Sequence, residues 1–234
     1  MLEPPMDVSL ILPVHDQADH IDSIVAEYNV VLRELTTSFE IILVLNACRD
    51  SSVEICKALT QWYPELRLII SEQGGWGLAV RMGIQAAQGE VMCYTNSART
   101  TPQDLAMALR YARANPSIVI KANRKMREGV RRRLGSLLYN LECRSLFDLP
   151  YWDINGTPKV FPRAFDKLLH LTRNDDVIDA EFNALCQRAG YPVLEVPIFS
   201  VRRHGGKSTT NLRSACKMYF GAWQLWRNLR KRGL

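Results

Sequence analysis

The chain has 234 residues, 47% hydrophobic and 23% charged, a balance that suits one sizeable core and excludes extensive disorder or a second full domain. Thirty Lys and Arg against 24 Asp and Glu leave a net charge of +6, with the excess between Arg124 and Arg133 and again after Arg202, which points to anionic partners. The six cysteines are scattered without a C-x-x-C pair, so they read as reduced core thiols and not as a disulfide framework or zinc site.

Met1 to Asp7 carries Glu3, Pro4 and Pro5 and resembles neither a secretory signal nor a membrane span, so the expected compartment is the cytoplasm. Val8 to Val14 is a short apolar run that predicts a strand. Ile21, Ile24, Val25, Tyr28, Val31, Leu32 and Leu35 then recur at helical spacing. The pattern repeats as strand Glu40 to Leu45, helix Asp50 to Leu59, strand Leu66 to Ile70, helix Gly77 to Ala87 and strand Glu90 to Tyr94. Such alternation predicts an α/β fold with a mostly parallel sheet flanked by helices. Thr101-Pro102 has the hydroxyl cap and first-turn proline that open a helix, so Thr95 to Thr100 is a strand-to-helix loop at a strand's carboxyl end, where open α/β sheets bind ligands. Ser117 to Lys121 is a further strand.

After Lys121 the alternation breaks. A basic loop leads to a helix over Leu134 to Phe147 that is both arginine-rich and apolar. Another helix opens near Asp176 and ends at Gly190, before strand Val193 to Val196. The tail from Ala215 to Leu234 combines Trp223 and Trp226 with Arg227, Arg230 and Lys231. The tail and the Arg131 to Phe147 helix suit either an anionic membrane surface or packing on the core.

Several motifs occur in order: Ile11-Leu12-Pro13-Val14-His15-Asp16-Gln17, Gly75-Trp76-Gly77-Leu78-Ala79, and the segment Asp153-Ile154-Asn155-Gly156-Thr157-Pro158-Lys159-Val160-Phe161. Asp179-Ala180-Glu181-Phe182, Gly190-Tyr191, Glu195-Val196-Pro197 and Arg203-His204-Gly205-Gly206-Lys207-Ser208 follow. Together they resemble family 2 glycosyltransferases of the GT-A fold, especially the dolichyl-phosphate mannosyltransferase-like branch that uses polyprenyl phosphates. The resemblance spans about Val8 to Thr209. It implies a Rossmann-like sandwich over residues 1–211, with the amphipathic 212–234 helix part of the same unit. It also implies inverting transfer of a sugar from a nucleotide sugar to a polyprenyl phosphate or related acceptor.

Two departures stand out. The family's acidic pair at the end of the second strand is Leu45-Asn46, and the D-x-D after the fourth strand is Asn96-Ser97-Ala98. Magnesium and manganese require hard oxygen ligands, which these residues do not supply in number, so no metal cofactor is expected at that position. Cations of the protein then have to balance the departing diphosphate, and Arg is suited to that by its planar fork. The residues expected around the donor are Pro13, which shapes the turn, His15, Gln17, Asn46, Gly77, Asn96, Ser97, Ala98 and Arg99. Arg124, Arg131, Arg203, His204, Lys207 and Ser208 are expected around its phosphates. Gly77 also fits a plain helix-entry turn, and Trp76 suits either stacking on a ligand or packing.

Asp153, Asp179 and Glu181 are the candidate catalytic carboxylates should the acceptor be a hydroxyl, whereas a lipid phosphate is already an anion and needs positioning more than a base. Acidic residues at a helix start are also favoured by the helix dipole. A non-catalytic relative that binds nucleotide, lipid or protein through the retained fold is the alternative reading. Nucleic acid is not an expected partner, because the chain has no strand that interleaves aromatic and basic residues.

Overall fold

A computed structural model describes residues 8–36, 38–125, 130–199 and 212–231. Its strands are β1 (Val8–Val14), β2 (Phe39–Asn46), β3 (Leu66–Ser71), β4 (Val91–Tyr94), β5 (Val119–Arg124), β6 (Lys159–Pro162) and β7 (Val193–Ile198). They form one seven-stranded sheet in the order β3-β2-β1-β4-β6-β5-β7. Every pairing is parallel except those of β6, which runs antiparallel to both β4 and β5.

Alternate strand residues feed two separate cores. Leu10, Leu12, Ile41, Leu43 and Cys93 face α1 (Ile21–Leu35), α2 (Ser52–Leu59) and α4 (Pro102–Ala114). Ile11, Ile42, Val44, Met92 and Tyr94 face α3 (Trp76–Ala86), α5 (Val130–Phe147), α6 (Ile178–Ala189) and α7 (Leu212–Lys231). Because both faces are covered, β1 is buried at all seven positions, which explains its uninterrupted apolar run. Helix α3 lies so close to β1 that a Cβ on Gly83 would sit 2.2 Å from Ile11 Cγ2, so only glycine fits there.

The helix signals hold up. Thr101 caps α4 in a reciprocal box with Asp104, and Gly190 ends α6 in the left-handed conformation at φ 68°. Strand β6 was not expected, because it is four residues long, opens with a buried Lys159 and closes with a proline. Its reversal matters: its first residue, not its last, lies level with the carboxyl end of β4, where Lys159 pairs with Tyr94, and it pairs with Lys121 in the middle of β5. Helix α7 joins the second core through Ala222, Leu225 and Leu229. Among the described residues, no helix is long and apolar enough to cross a membrane.

Candidate active site

The carboxyl ends of β1, β2 and β4 carry loops joined mostly by neutral hydrogen bonds. Asn46 donates from Nδ2 to Val14 O (2.8 Å), and its Oδ1 accepts from Gly75 N (3.1 Å), tying β1, β2 and the entry to α3 together. The His15 ring lies 2.8 Å from Asn46 O through Nδ1 and is otherwise half-exposed. Ser97 donates to Gln17 Oε1 (2.5 Å), and Gln17 Nε2 reaches Pro13 O (3.4 Å), so the degenerate motif is fastened to the first loop. Asn96 uses its Oδ1 to accept from Ala98 N (3.1 Å), while Ser97 and Ala98 are wholly buried. The backbone of Arg99 donates to Asn96 O (3.0 Å) in the same turn. Two charged side chains brace this region from outside. Asp16, at φ 50°, accepts from Arg49 N (2.7 Å), and Asp50 accepts from Ala18 N (2.9 Å) and from Ser52.

The corresponding edge of β5, β6 and β7 is built from charge. Asp153 accepts a two-pronged contact from Arg124, at 2.7 Å from Nε and 2.9 Å from Nη2, plus Arg124 N at 3.0 Å. Lys121 donates to Glu195 (2.9 Å) and to Asp153 O (2.6 Å). Glu195 also accepts from Trp152 N and Asp153 N, both at 3.1 Å, so it organises the whole turn before Asp153. Gly156 allows that turn to pass under β5, since a Cβ there would lie 1.9 Å from Ala122 O. Lys159 pairs with Asp179 Oδ1, which also accepts from Tyr94 Oη (2.9 Å); Asp179 Oδ2 accepts from Trp76 Nε1 (3.1 Å). Lys121 and Lys159 are both 0% exposed.

Burial pulls both ammonium groups below the ordinary lysine value, against the opposing pull of Glu195 and Asp179 respectively. Burial likewise acts to lower Arg124, but Asp153 outweighs it and holds the guanidinium above its usual value. For Glu195 burial acts upward, and Lys121 overrides it, leaving the carboxyl below its ordinary range.

Between these edges, a cavity of about 670 Å³ is lined by Gly74, Gly75, Trp76 and the segment Thr172 to Asp176. The segment is fixed from behind by Glu181, whose carboxylate accepts from Thr172 N (2.9 Å), Thr172 Oγ1 (2.6 Å) and Arg173 N (2.9 Å). It is fixed from the side by α3. Leu78 N donates to Asn174 O (3.0 Å), and a Cβ on Gly77 would lie 2.6 Å from the carbonyls of Arg173 and Asp175. Asp175 pairs with Arg173 and accepts from Val177 N (3.2 Å). Asp176 is exposed on the cavity wall, yet the protein crowded around it, then the charges of Asp179 and Asp175, push its pKa above the ordinary aspartate value.

The structure thus brings many of the expected residues to one edge, but turns several of them toward each other. Asp153 and Arg124 hold one another, Asp179 is engaged by Lys159, Tyr94 and Trp76, and Glu181 holds the cavity wall. Gly77 is required by protein packing, which is the helix-entry alternative. Arg131 is placed in α5 by its backbone alone, and Arg203, His204, Lys207 and Ser208 lie outside the described residues. The carboxylate that does open on the cavity is Asp176. The acidic run Asp175-Asp176 was its signal in the sequence, but that run is equally well accounted for by the start of α6. His20, just before α1, is buried beside Asp19.

Among the described residues, no group of three or more His, Cys, Asp or Glu side chains is arranged to hold a metal ion. The chemistry of the β4 end agrees with this. One amide oxygen already bonded to Ala98 N, a buried serine bonded to Gln17 and a buried methyl group do not make a magnesium or manganese site.

A mostly parallel sheet with one reversed strand, covered on both faces and bearing its loops at the carboxyl edge, defines the GT-A class of glycosyltransferase fold. The chain belongs to glycosyl transferase family 2, whose family model matches residues 9–173. Undecaprenyl-phosphate 4-deoxy-4-formamido-L-arabinose transferase from Pseudomonas fluorescens is 21% identical over 88% of this chain and 61% of that protein. The chain therefore spans about three-fifths of the length of this relative. Among solved structures, glucosyl-3-phosphoglycerate synthase from Mycobacterium tuberculosis, in complex with Mn2+, uridine diphosphate and phosphoglyceric acid, superposes with a TM-score of 0.73 at 16% identity. That match covers 98% of this chain and 79% of the other. Mannosyl-3-phosphoglycerate synthase from Rubrobacter xylanophilus gives 0.66 at 16% identity, covering 97% and 75%.

Proposed function

We propose that this glycosyltransferase moves a sugar from a nucleotide sugar to a polyprenyl phosphate, with inversion and without a divalent metal. The observation that carries the acceptor class is the engagement of Asp153, Asp179 and Glu181 by protein donors. A carboxylate whose oxygens are taken up by protein donors is not placed to receive an acceptor's proton, and an acceptor phosphate needs no base, because its oxygen is already anionic when it attacks the anomeric carbon. As that C–O bond forms, the bond from the sugar to the nucleoside diphosphate breaks, and the negative charge remains on the departing diphosphate. The name of the Pseudomonas relative supports the same acceptor class.

The neutral Asn96-Ser97-Ala98 turn supports the metal-free part, and on this reading Arg99 and the Arg203 to Ser208 segment stabilise the diphosphate. Titrating intrinsic Trp fluorescence with nucleotide sugars and free diphosphates, with magnesium and with chelator, tests it. Affinity unchanged by chelator is the expected result, and binding that appears only with a divalent ion refutes metal independence. Sugar transfer to a short-chain polyprenyl phosphate, followed by mass spectrometry, tests the acceptor.

Asp176 favours a second reading. A carboxylate with a raised pKa, open to a cavity beside Trp76, is placed to take a proton from a hydroxyl acceptor. Transfer to an alcohol that depends on Asp176 would establish it.

A further inference from the structure

Helix α5 carries two apolar stripes, and only one of them is used by the fold. Tyr139, Cys143 and Phe147 are buried against the second core, whereas Leu134, Leu137, Leu138 and Leu141 are 45–56% exposed. Their spacing of three, four and seven residues aligns them along one side of the helix. A second exposed apolar patch adjoins it on α7, where Phe220 and Trp223 stack at 5.8 Å. The two helices are tied together by Tyr219, which meets Tyr139 edge-on at 5.7 Å and donates to Gly135 O (2.9 Å). Gly135 is one turn from Leu138, and Tyr219 is one turn from Trp223, so the leucines and the aromatic pair share a border.

Charge follows the same two helices. Helix α5 holds four arginines and one glutamate, and α7 holds five Lys and Arg and no acid. Together they contribute +8 where the whole chain nets +6, so everything outside them is net −2. Two exposed cations of α7 are laid on aromatic rings: Arg227 lies 4.8 Å above Trp223 and Arg230 lies 4.7 Å above Trp226. An aromatic group with a guanidinium on its face suits the boundary where hydrocarbon meets phosphate headgroups.

We propose that α5 and α7 together form a docking face for an anionic lipid surface, with the four leucines and Phe220–Trp223 entering the headgroup boundary and Arg227 and Arg230 meeting lipid phosphates. The excess of cations selects this occupant over a second copy of the chain, since a self-complementary contact through this face would bring like charges together. Helix α7 also lies against the segment that lines the cavity, but through its opposite side: a Cβ on Gly221 would lie 2.7 Å from Val177 Cγ2 and 3.3 Å from Arg173 Nη2. The proposal deepens the lipid-acceptor reading, but its test does not depend on it.

The experiment is flotation of the full chain with vesicles of phosphatidylcholine alone and of phosphatidylcholine mixed with phosphatidylglycerol. Binding to the mixed vesicles only, weakening as salt rises, is expected. Leu137→Gln with Leu141→Gln removes two exposed side chains that no core uses, and should lower binding at least about tenfold with an unchanged melting temperature. Leu137→Phe with Leu141→Phe should retain it. Wild-type binding by the glutamine variant, equal binding to both vesicle types, or no binding to either overturns the proposal. A vesicle-free dimer that the glutamine variant dissociates does so as well, by assigning the face to self-association. Nucleotide titration of the same variant separates the two readings: lost flotation with unchanged nucleotide affinity concerns this face alone.

Discussion

The two halves of the sheet's carboxyl edge are held together by different physics. Around β1, β2 and β4 the contacts between loops are largely amide and hydroxyl bonds, such as those of Asn46, Gln17 and Ser97. Around β5, β6 and β7 they are charge pairs with buried lysines at two of the three centres. A family motif can therefore persist in sequence for two reasons: to meet a ligand, or to neutralise a partner inside the protein. Here Asp153, Asp179 and Glu195 have the second role in plain view. Among the described residues, the half with Asn96 and Ala98 at the D-x-D position has no buried lysine or arginine to neutralise.

The largest effect should come from splitting one of these pairs. Asp179→Leu leaves Lys159 charged and unpaired in the core, and should cost about 3–5 kcal/mol by denaturant unfolding. Adding Lys159→Met should recover much of it, which distinguishes a penalty for stranding one charge from a gain made by the pair. Acid should weaken this half. Because the pKa of Glu195 is depressed in the fold, its contribution is present above the unfolded glutamate value and is lost as pH falls through the depressed one, and Glu195→Gln should remove that part of the pH dependence.

Restoring an acid to the neutral half should not restore a metal site. Ala98→Asp buries a carboxylate at a position with no exposure and should cost about 2 kcal/mol or more, without recovery on adding magnesium. Ser97→Ala breaks the bond to Gln17 and should cost about 1 kcal/mol, measured the same way. Asp176→Asn probes the chemistry directly. With a polyprenyl phosphate acceptor, turnover should change by no more than about twofold. A loss of about a hundredfold, with the disappearance of a pH limb above the usual aspartate range, would assign Asp176 as a base.

Much of this arrangement was legible in the residues. The strand and helix alternation through Lys121, the cap at Thr101, the stop at Gly190 and the neutral turn at Asn96 all follow from local patterns that the structure retains. What escaped is what depends on distant pairing. The partners of Asp153 and Asp179 lie 29 and 20 residues away, and the second pair meets because β6 reverses and places its opening lysine level with the carboxyl end of β4. The second stripe of α5 was hidden differently. Leucines at 134, 137, 138 and 141 repeat with the same period as Tyr139, Cys143 and Phe147, and periodicity does not tell which of two apolar faces the fold will cover.

The concentration of positive charge on two packed helices has a consequence before any contact is made. Two packed helices that together carry +8 give that flank a positive field, and a negatively charged surface attracts it within about a Debye length, roughly 8 Å at physiological salt. The molecule's rotational diffusion is then biased, so that encounters begin with α5 and α7 leading.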